Sequence, residues 1–403
     1  MLFRSPEYIV KTKAIGEFVP AGGFFKDWDD EFQRNFSIYI DQQEQLGWYG
    51  VFNWGDWHGE RTYNWGNLEY DDPSAFFKQA LRFQDATYFR KAVQGAQHYI
   101  DIDTISEHWD TRLIGEVWSH TIGHTGGYYP PGSFPSQSDR LLAGTSSPGH
   151  TRAEGVSLMY LLTGDIRALE HVRKIAEHLM MDPQWRPKGY YTAREPGWAM
   201  IALTAAYDAT GSRSYLEGAE IIADAVLASA EGKGVWYRPL ESTMCLYTEI
   251  PGHPRCHGEH EFMTAVQAIG MIRTYERTGR EDILENIITT GYYLIENLYD
   301  PEAVGFVHSL CPLRKQSRKL GGVNSFLWYP LAYAYLETSN SRLREVLVDT
   351  LTKASKEKKW FDTDPFGKGL PAGSLFMAEV QGLIAPVIDI LEDRNIEGGT
   401  YRQ

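Results

Sequence analysis

The sequence predicts an all-α protein, an (α/α)6 toroid in which six helical hairpins close into a ring with long loops at one mouth. A weak repeat is the first reason. Tyr160-Leu-Leu-Thr-Gly-Asp165 returns as Tyr207-Asp-Ala-Thr-Gly-Ser212, as Tyr275-Glu-Arg-Thr-Gly-Arg280 and, more loosely, as Tyr335-Leu-Glu-Thr-Ser-Asn340. In each copy an apolar run ends and an amphipathic one begins. Glycine terminates the first helix, and Asp or Ser suits the N-cap of the second. The second reason is that the two helices differ in kind. Trp198-Ala-Met-Ile-Ala-Leu-Thr-Ala-Ala-Tyr207 is almost wholly apolar, whereas Glu170-His-Val-Arg-Lys-Ile-Ala-Glu177 carries charge, as inner and outer layers require. Third, the intervals between copies are too unequal for an open solenoid.

The hairpins follow in order. Leu81-Arg-Phe-Gln-Asp-Ala86 is a copy without glycine and leads into a helix over Thr87–Asp101. Ser147–Thr163 pairs with Asp165–Met181, Gly197–Thr210 with Ser212–Ala230, Glu259–Thr278 with Arg280–Tyr299, and Val323–Thr338 with Asn340–Lys358. A last apolar helix, Ala372–Asp393, lacks a C-terminal partner, which Asp27–Leu46 is placed to supply. Composition marks no linker, so residues 1–25 read as an N-terminal extension and 26–403 as one toroidal catalytic domain.

A net charge of −14 argues against nucleic acid, whose phosphates need a basic stripe. No apolar run approaches the ~18 residues of a membrane span. The start of the chain lacks a secretory h-region and cleavage site, so the expected location is cytoplasmic unless a leader has been removed. Cys245, Cys256 and Cys311 are too few and too scattered in sequence for a disulfide framework, in keeping with a reducing compartment. The unusual figure is 13% aromatic residues, with 12 Trp and 24 Tyr.

That excess concentrates in Trp54-Gly-Asp-Trp-His-Gly-Glu-Arg-Thr-Tyr-Asn-Trp-Gly-Asn-Leu-Glu-Tyr-Asp-Asp72, which fits neither helical nor strand periodicity. Flat rings beside carboxylates and amides suit a sugar: rings stack on the C–H face of a pyranose while Asp, Asn and Glu take its hydroxyls. Trp54, Trp57 and Tyr70 are the stacking candidates here, with Asp56, Asn67 and Glu69 for hydroxyls. The bland alternative is an aromatic loop that seals a core.

In a toroid the loops before the inner helices converge on one mouth, and loops held by a rigid scaffold carry function. Those segments are Trp54–Asp72, Trp118–Pro131 with Gly149–Glu154, Tyr190–Trp198, His253–Glu261 and Gly321–Trp328. His58, His120, His124, His150, His253, His257 and His260, seven of the twelve His, fall within them. Arg152 opens an inner helix, where a lone cation opposes the helix dipole, so a partner is expected: Glu154 or a substrate carboxylate. His257, Glu259 and His260 beside Cys256 match no specific zinc signature and serve equally as polar pocket lining. No cofactor and no catalytic metal are assigned, and a divalent cation at that group stays open. Asp208 and Glu276, on the far side of the ring, read as structural.

The run Trp54-Gly-Asp-Trp-His-Gly-Glu…Tyr63-Asn-Trp-Gly-Asn-Leu-Glu-Tyr-Asp71, followed by Tyr88-Phe-Arg-Lys-Ala and His98-Tyr-Ile-Asp-Ile-Asp-Thr104, resembles the C-terminal α/α-toroid domain of exo-acting rhamnogalacturonan lyases. His120-Thr-Ile-Gly-His-Thr-Gly-Gly-Tyr-Tyr129 and Gly149-His-Thr-Arg-Ala-Glu-Gly155 are similar to that family's catalytic-cleft segments. The resemblance implies β-elimination at a uronic acid, with an acidic oligosaccharide or polysaccharide as substrate. Arg152 and Arg194, assisted by Asn67, are then expected to neutralise the carboxylate, and His120, His124, Tyr128 and His150 to supply acid and base. Trp198 and Trp328 join the stacking residues, while His257, Glu259, His260 and Asn324 join the polar lining. Those lyases carry β-rich domains ahead of the toroid, for which residues 1–25 leave no room. A second copy of the chain, in a homo-oligomer, is one candidate to fill that part of the cleft.

Two other readings compete. A glycoside hydrolase on the same toroid would use paired carboxylates drawn from Asp56, Glu69, Glu154 and Glu259. A non-catalytic sugar-binding toroid would bind without turnover.

Overall fold

A computed structural model describes residues 6–12, 15–16, 19–23, 26–46, 71–109, 111–117, 148–181, 192–240, 244–313 and 326–357. Helix α1 (Pro6–Thr12) precedes α2 (Lys26–Leu46). Five hairpins follow: α3 (Asp72–Phe83) with α4 (Ala86–His98), α5 (Glu154–Thr163) with α6 (Ile166–Met181), and α7 (Arg194–Thr210) with α8 (Arg213–Ala230). Then come α9 (Glu261–Thr278) with α10 (Glu281–Tyr293), and α11 (Trp328–Thr338) with α12 (Ser341–Glu357). The odd-numbered helices from α3 to α11 form the inner ring, each packed on the next in chain order, and their partners form the outer ring.

The Tyr-x-x-Thr-Gly repeat has a physical basis. At three turns Gly164, Gly211 and Gly279 adopt φ of 75°, 69° and 67°, and each cap N–H donates to the carbonyl of the repeat Tyr. Each Thr then acts twice. Thr163, Thr210, Thr278 and Thr338 donate Oγ1–H to the carbonyl four residues back and accept the N–H two residues on. One side chain thus closes an inner helix and opens its partner. Ser339 and Gln84 hold the same left-handed conformation at φ 54° and 55° where glycine is missing.

Inner helices α7 and α9 approach most tightly at two glycines. A Cβ on Gly197 would lie 2.5 Å from the Val266 carbonyl oxygen, and one on Gly270 would lie 2.6 Å from that of Gly197. Both obstacles are backbone, so the helices must part to admit a methyl group. Gly197→Ala is expected to cost about 1–3 kcal/mol, read as a lowered denaturation midpoint.

Helix α2 joins the two ends of the described ring. Trp28 meets Trp328 of α11 edge-on, centroids 6.5 Å apart, while Phe36 stacks on Tyr88 of α4 at 4.0 Å and meets Phe76 of α3. Beneath these rings Arg82 holds Asp29 through two bonds of 2.9 and 3.0 Å, both side chains buried. The segment around 27–46 therefore supplies the helix expected of it. The helix expected over 372–393 lies outside the described residues. One hydrophobic core runs from Trp28 to Ala354.

Boundaries depart from expectation in several places. The helix expected from Ser147 begins at Glu154, because Pro148–His150 forms a 3-10 turn before it. Helices α4 and α10 end early, each passing into a π turn, Tyr99–Asp103 and Leu294–Leu298. Two short antiparallel ribbons lie in the loops: β1 (Arg238–Pro239) with β2 (His257–Gly258), and β3 (Tyr299–Asp300) with β4 (Gly305–Phe306). No described helix is long and apolar enough to cross a membrane.

Candidate functional site

The N-termini of the inner helices carry the chemistry. Asp71, at φ 63°, caps two of them. Its carboxylate accepts the Ser74 N–H at 3.3 Å on α3 and the Gly155 N–H at 3.1 and 3.2 Å on α5. Burial, reinforced by the negative charge of Glu154, pushes its pKa up to about 6, although the Gly155 N–H, Lys78 and Arg152 pull the other way. The raised value means the folded state holds this proton more tightly than the unfolded chain does. Its contribution to stability is full below the ordinary carboxylate value and is lost as pH rises through 6. Asp71→Asn is expected to flatten that part of the stability profile between about pH 4 and 6, measured by denaturant midpoints across that range.

A cationic cluster lies beside this cap. The Arg152 guanidinium sits 4.0 Å over the ring of Trp198 and donates to the Gly149 carbonyl at 3.1 Å. Its backbone N–H donates to the hydroxyl of buried Tyr99 at 2.6 Å. Arg194, opening α7, bonds the imidazole of buried His150. Three groups expected at the mouth, His150, Arg152 and Arg194, thus come from two adjacent inner-helix starts, with Trp198 packed beneath. Glu154 turns instead to Lys78 at 2.8 Å and Arg273 at 3.3 Å, inside the ring. Burial would raise its pKa, but those two cations hold it down to about 2.

A second cluster forms where α9 begins. Glu261, fully buried at the first turn, faces two imidazoles. His308 Nδ1 lies 2.9 Å from both carboxylate oxygens and His260 Nδ1 lies 3.4 Å from one, with the rings 4.9 Å apart. Burial opposes ionisation of Glu261, yet bonds from both His hold its pKa down to about 2, and the helix N-terminus favours the anion. With Nδ1 turned toward the carboxylate, the half-buried His308 presents its Nε2 for proton transfer, while the Nε2 of buried His260 lies 3.8 Å from the Glu259 carboxylate. The arrangement is two imidazoles on one buried carboxylate, with a second carboxylate, Glu259, beside His260.

Glu259, expected to bind hydroxyls, is wholly buried and occupied. It takes Arg238 in a fork at 3.0 and 3.2 Å and accepts the backbone N–H groups of Ala193 and His260, each at 3.1 Å. It therefore fastens the start of α7 to the start of α9. His257 is exposed on β2, its ring 5.8 Å from that of Tyr237. Trp328 and Trp198 are 0% and 1% exposed, and the Trp328 indole donates to Thr350 Oγ1. Both rings are part of the wall rather than open platforms, because α2 and Arg152 cover them. Trp54, Asp56, Trp57, Asn67, Glu69, Tyr70, His120, His124, Tyr128 and Asn324 lie outside the described residues.

Glu261 and His308 were absent from the expected site. His308 lies just beyond β4, in the long connection between α10 and α11, whereas the sequence search took only the last residues of that connection. For a cation among these residues, the ligand atoms gathered within 4.8 Å belong to His260, Glu261 and His308, and the Glu259 carboxylate is taken by Arg238. Asp208 and Glu276 do lie at the opposite end of the ring. Asp208 pairs with Arg277, and both acids line a cavity of about 600 Å³ with Glu154 and Arg273.

No family model and no curated protein matches the chain. Solved structures do. The fold is an α/α toroid. A polysaccharide lyase is 12% identical, with 89% of this chain and 98% of that one covered and a TM-score of 0.59. A glycosyl hydrolase of family 88 from Bacteroides vulgatus is 10% identical, over 88% and 99% of the two chains, with a TM-score of 0.56. A cellobiose 2-epimerase from Bacillus thermoamylovorans is 9% identical, over 82% and 87%, with a TM-score of 0.55. At such identities the likeness is one of fold.

Proposed function

We propose that the protein is a carbohydrate-active enzyme, a lyase that cleaves uronic-acid-containing, rhamnogalacturonan-like glycans by β-elimination. The observation that carries this reading is the pair His260 and His308 held on the buried carboxylate of Glu261. Elimination requires a base for the proton at C5 and an acid for the leaving oxygen at C4. The C5–H bond breaks, its electron pair forms the C4–C5 double bond, the C4–O bond breaks, and the departing oxygen takes a proton. An imidazole can make either transfer, and a carboxylate on its other nitrogen orients it.

Arg152 and Arg194, gathered with His150, supply the positive charge that a uronate carboxylate needs as negative charge develops beside C5. His120, His124 and Tyr128 remain candidates for acid and base from their loop, and the segment bearing Trp54, Trp57 and Tyr70 for the sugar subsites. The resemblance of these segments to exo-rhamnogalacturonan lyases supports the choice of substrate. Among the structural neighbours are a polysaccharide lyase and a cellobiose 2-epimerase. The hydrolase alternative is weakened by Glu154 and Glu259, two of its expected carboxylates, which sit in ion pairs with Lys78, Arg273 and Arg238.

The test is ultraviolet absorbance of the unsaturated uronide during incubation with a panel of uronic-acid oligosaccharides. Rising absorbance that His308→Ala and His260→Ala suppress supports the lyase. New reducing ends without absorbance would establish hydrolysis, and binding without either would leave a sugar-binding toroid.

A further inference from the structure

The three cysteines, distant in sequence, meet. The sulfurs of Cys245, Cys256 and Cys311 lie within 4.8 Å of one another, all three residues as thiols. They come from three separate pieces of chain: the turn before the 3-10 segment Leu246–Glu249, the residue before β2, and the loop after β4. We propose that this cluster is a binding site for a thiophilic d10 cation, zinc(II).

The geometry suits the ion. Zinc–thiolate bonds of about 2.3 Å in a tetrahedron put ligand sulfurs somewhat under 4 Å apart, so these three need close in only slightly. A backbone feature points the same way: the Cys256 N–H donates to Cys245 Sγ at 3.4 Å. An N–H aimed at sulfur stabilises thiolate and is of little use to a buried apolar thiol. The surroundings are largely apolar, with Leu240, Leu246, Tyr247 and Leu310 packed around the sulfurs, and Cys256 is only half-buried. Without a cation, burial and the neighbouring thiols push the Cys256 pKa up to about 12. A divalent ion reverses that balance, since a coordinated thiol is deprotonated. On binding, three S–H protons leave to solvent, three Zn–S bonds form, and a water takes the fourth position.

The site has a place in the architecture. Cys256 precedes His260 by four residues and Cys311 follows His308 by three. Ser309 Oγ–H already bonds the Met244 carbonyl, and the Leu240 N–H bonds that of Cys256 at 2.8 Å. A metal here would tie together the two loops that present the imidazole pair.

The test uses the full chain purified under reducing conditions. Zinc content is measured by mass spectrometry, and affinity by competition with a chromophoric chelator. The proposal expects about one zinc per chain, protection of the thiols from Ellman's reagent that chelation removes, and a rise in Tm on adding zinc. Cys256→Ser and Cys311→Ser should each weaken zinc binding by roughly tenfold or more. Cobalt(II) gives a second readout on the wild type, a sulfur-to-metal charge-transfer band. Thiols equally reactive with and without zinc, or a mass two hydrogens lighter from a disulfide, would overturn the proposal.

Discussion

Glu261→Gln is expected to lower turnover by roughly 10²–10⁴-fold, the usual worth of a positioned acid–base group, while leaving KM within a few-fold. The amide nearly keeps the shape of the carboxylate but loses the negative charge that both imidazoles face at 2.9 and 3.4 Å. The rings would then be held less firmly, and an imidazolium formed on His308 during proton transfer would lose its counter-charge. Glu261→Asp, which keeps the charge on a shorter arm, should recover part of the rate. The measurement is kcat and KM by uronide absorbance beside a thermal melt of each variant. If the loss of rate in the Gln variant merely tracks a loss of folded protein, Glu261 is structural only.

The second large effect falls on stability. Glu154→Ala removes the carboxylate that faces Lys78, whose side chain is 2% exposed, and Arg273, at 7%. Two cations would remain inside the ring without that counter-charge, at a cost of about 3–5 kcal/mol. Replacing Glu154 and Lys78 together by apolar residues of similar volume should restore much of the loss, because a buried charge is costlier than no charge. The pH dependence checks the same point. The Glu154 and Glu261 pKa values lie near 2, below the ordinary carboxylate value, so their contribution is present above about pH 4.5 and is lost as pH falls toward 2. Glu154→Gln should remove its share of that acid limb, seen as a shallower fall of the denaturation midpoint. Asp71 works in the opposite sense in the neighbouring pH window, so the two variants separate the contributions.

The ring was legible from particular residues. Thr163, Thr210, Thr278 and Thr338 mark turns whose hydrogen bonds are all local, between residues two to four apart, so sequence proximity alone brings the partners together. The apolar faces of the inner helices are local too, being a property of one helix at a time. The site was legible only in part. His150, Arg152, Arg194 and His260 could be found because they stand directly before or within inner-helix starts. His308 could not, because it reaches Glu261 through a fold-back 47 residues along the chain. The roles of Glu259 and Trp328 shifted for a related reason. Whether a carboxylate meets a sugar or an arginine, and whether an indole is open or covered, depends on what other segments bring to it.

By itself, the sequence determined where the inner helices end and which of each pair faces inward. These follow from glycine conformation, short-range hydrogen bonds and the pattern of hydrophobicity. Tertiary structure alone decided that Asp71 caps two helices, that Glu261 serves two imidazoles, and that three cysteines converge. Each is a contact between segments far apart in the chain, and its distance is set by the closing of the ring.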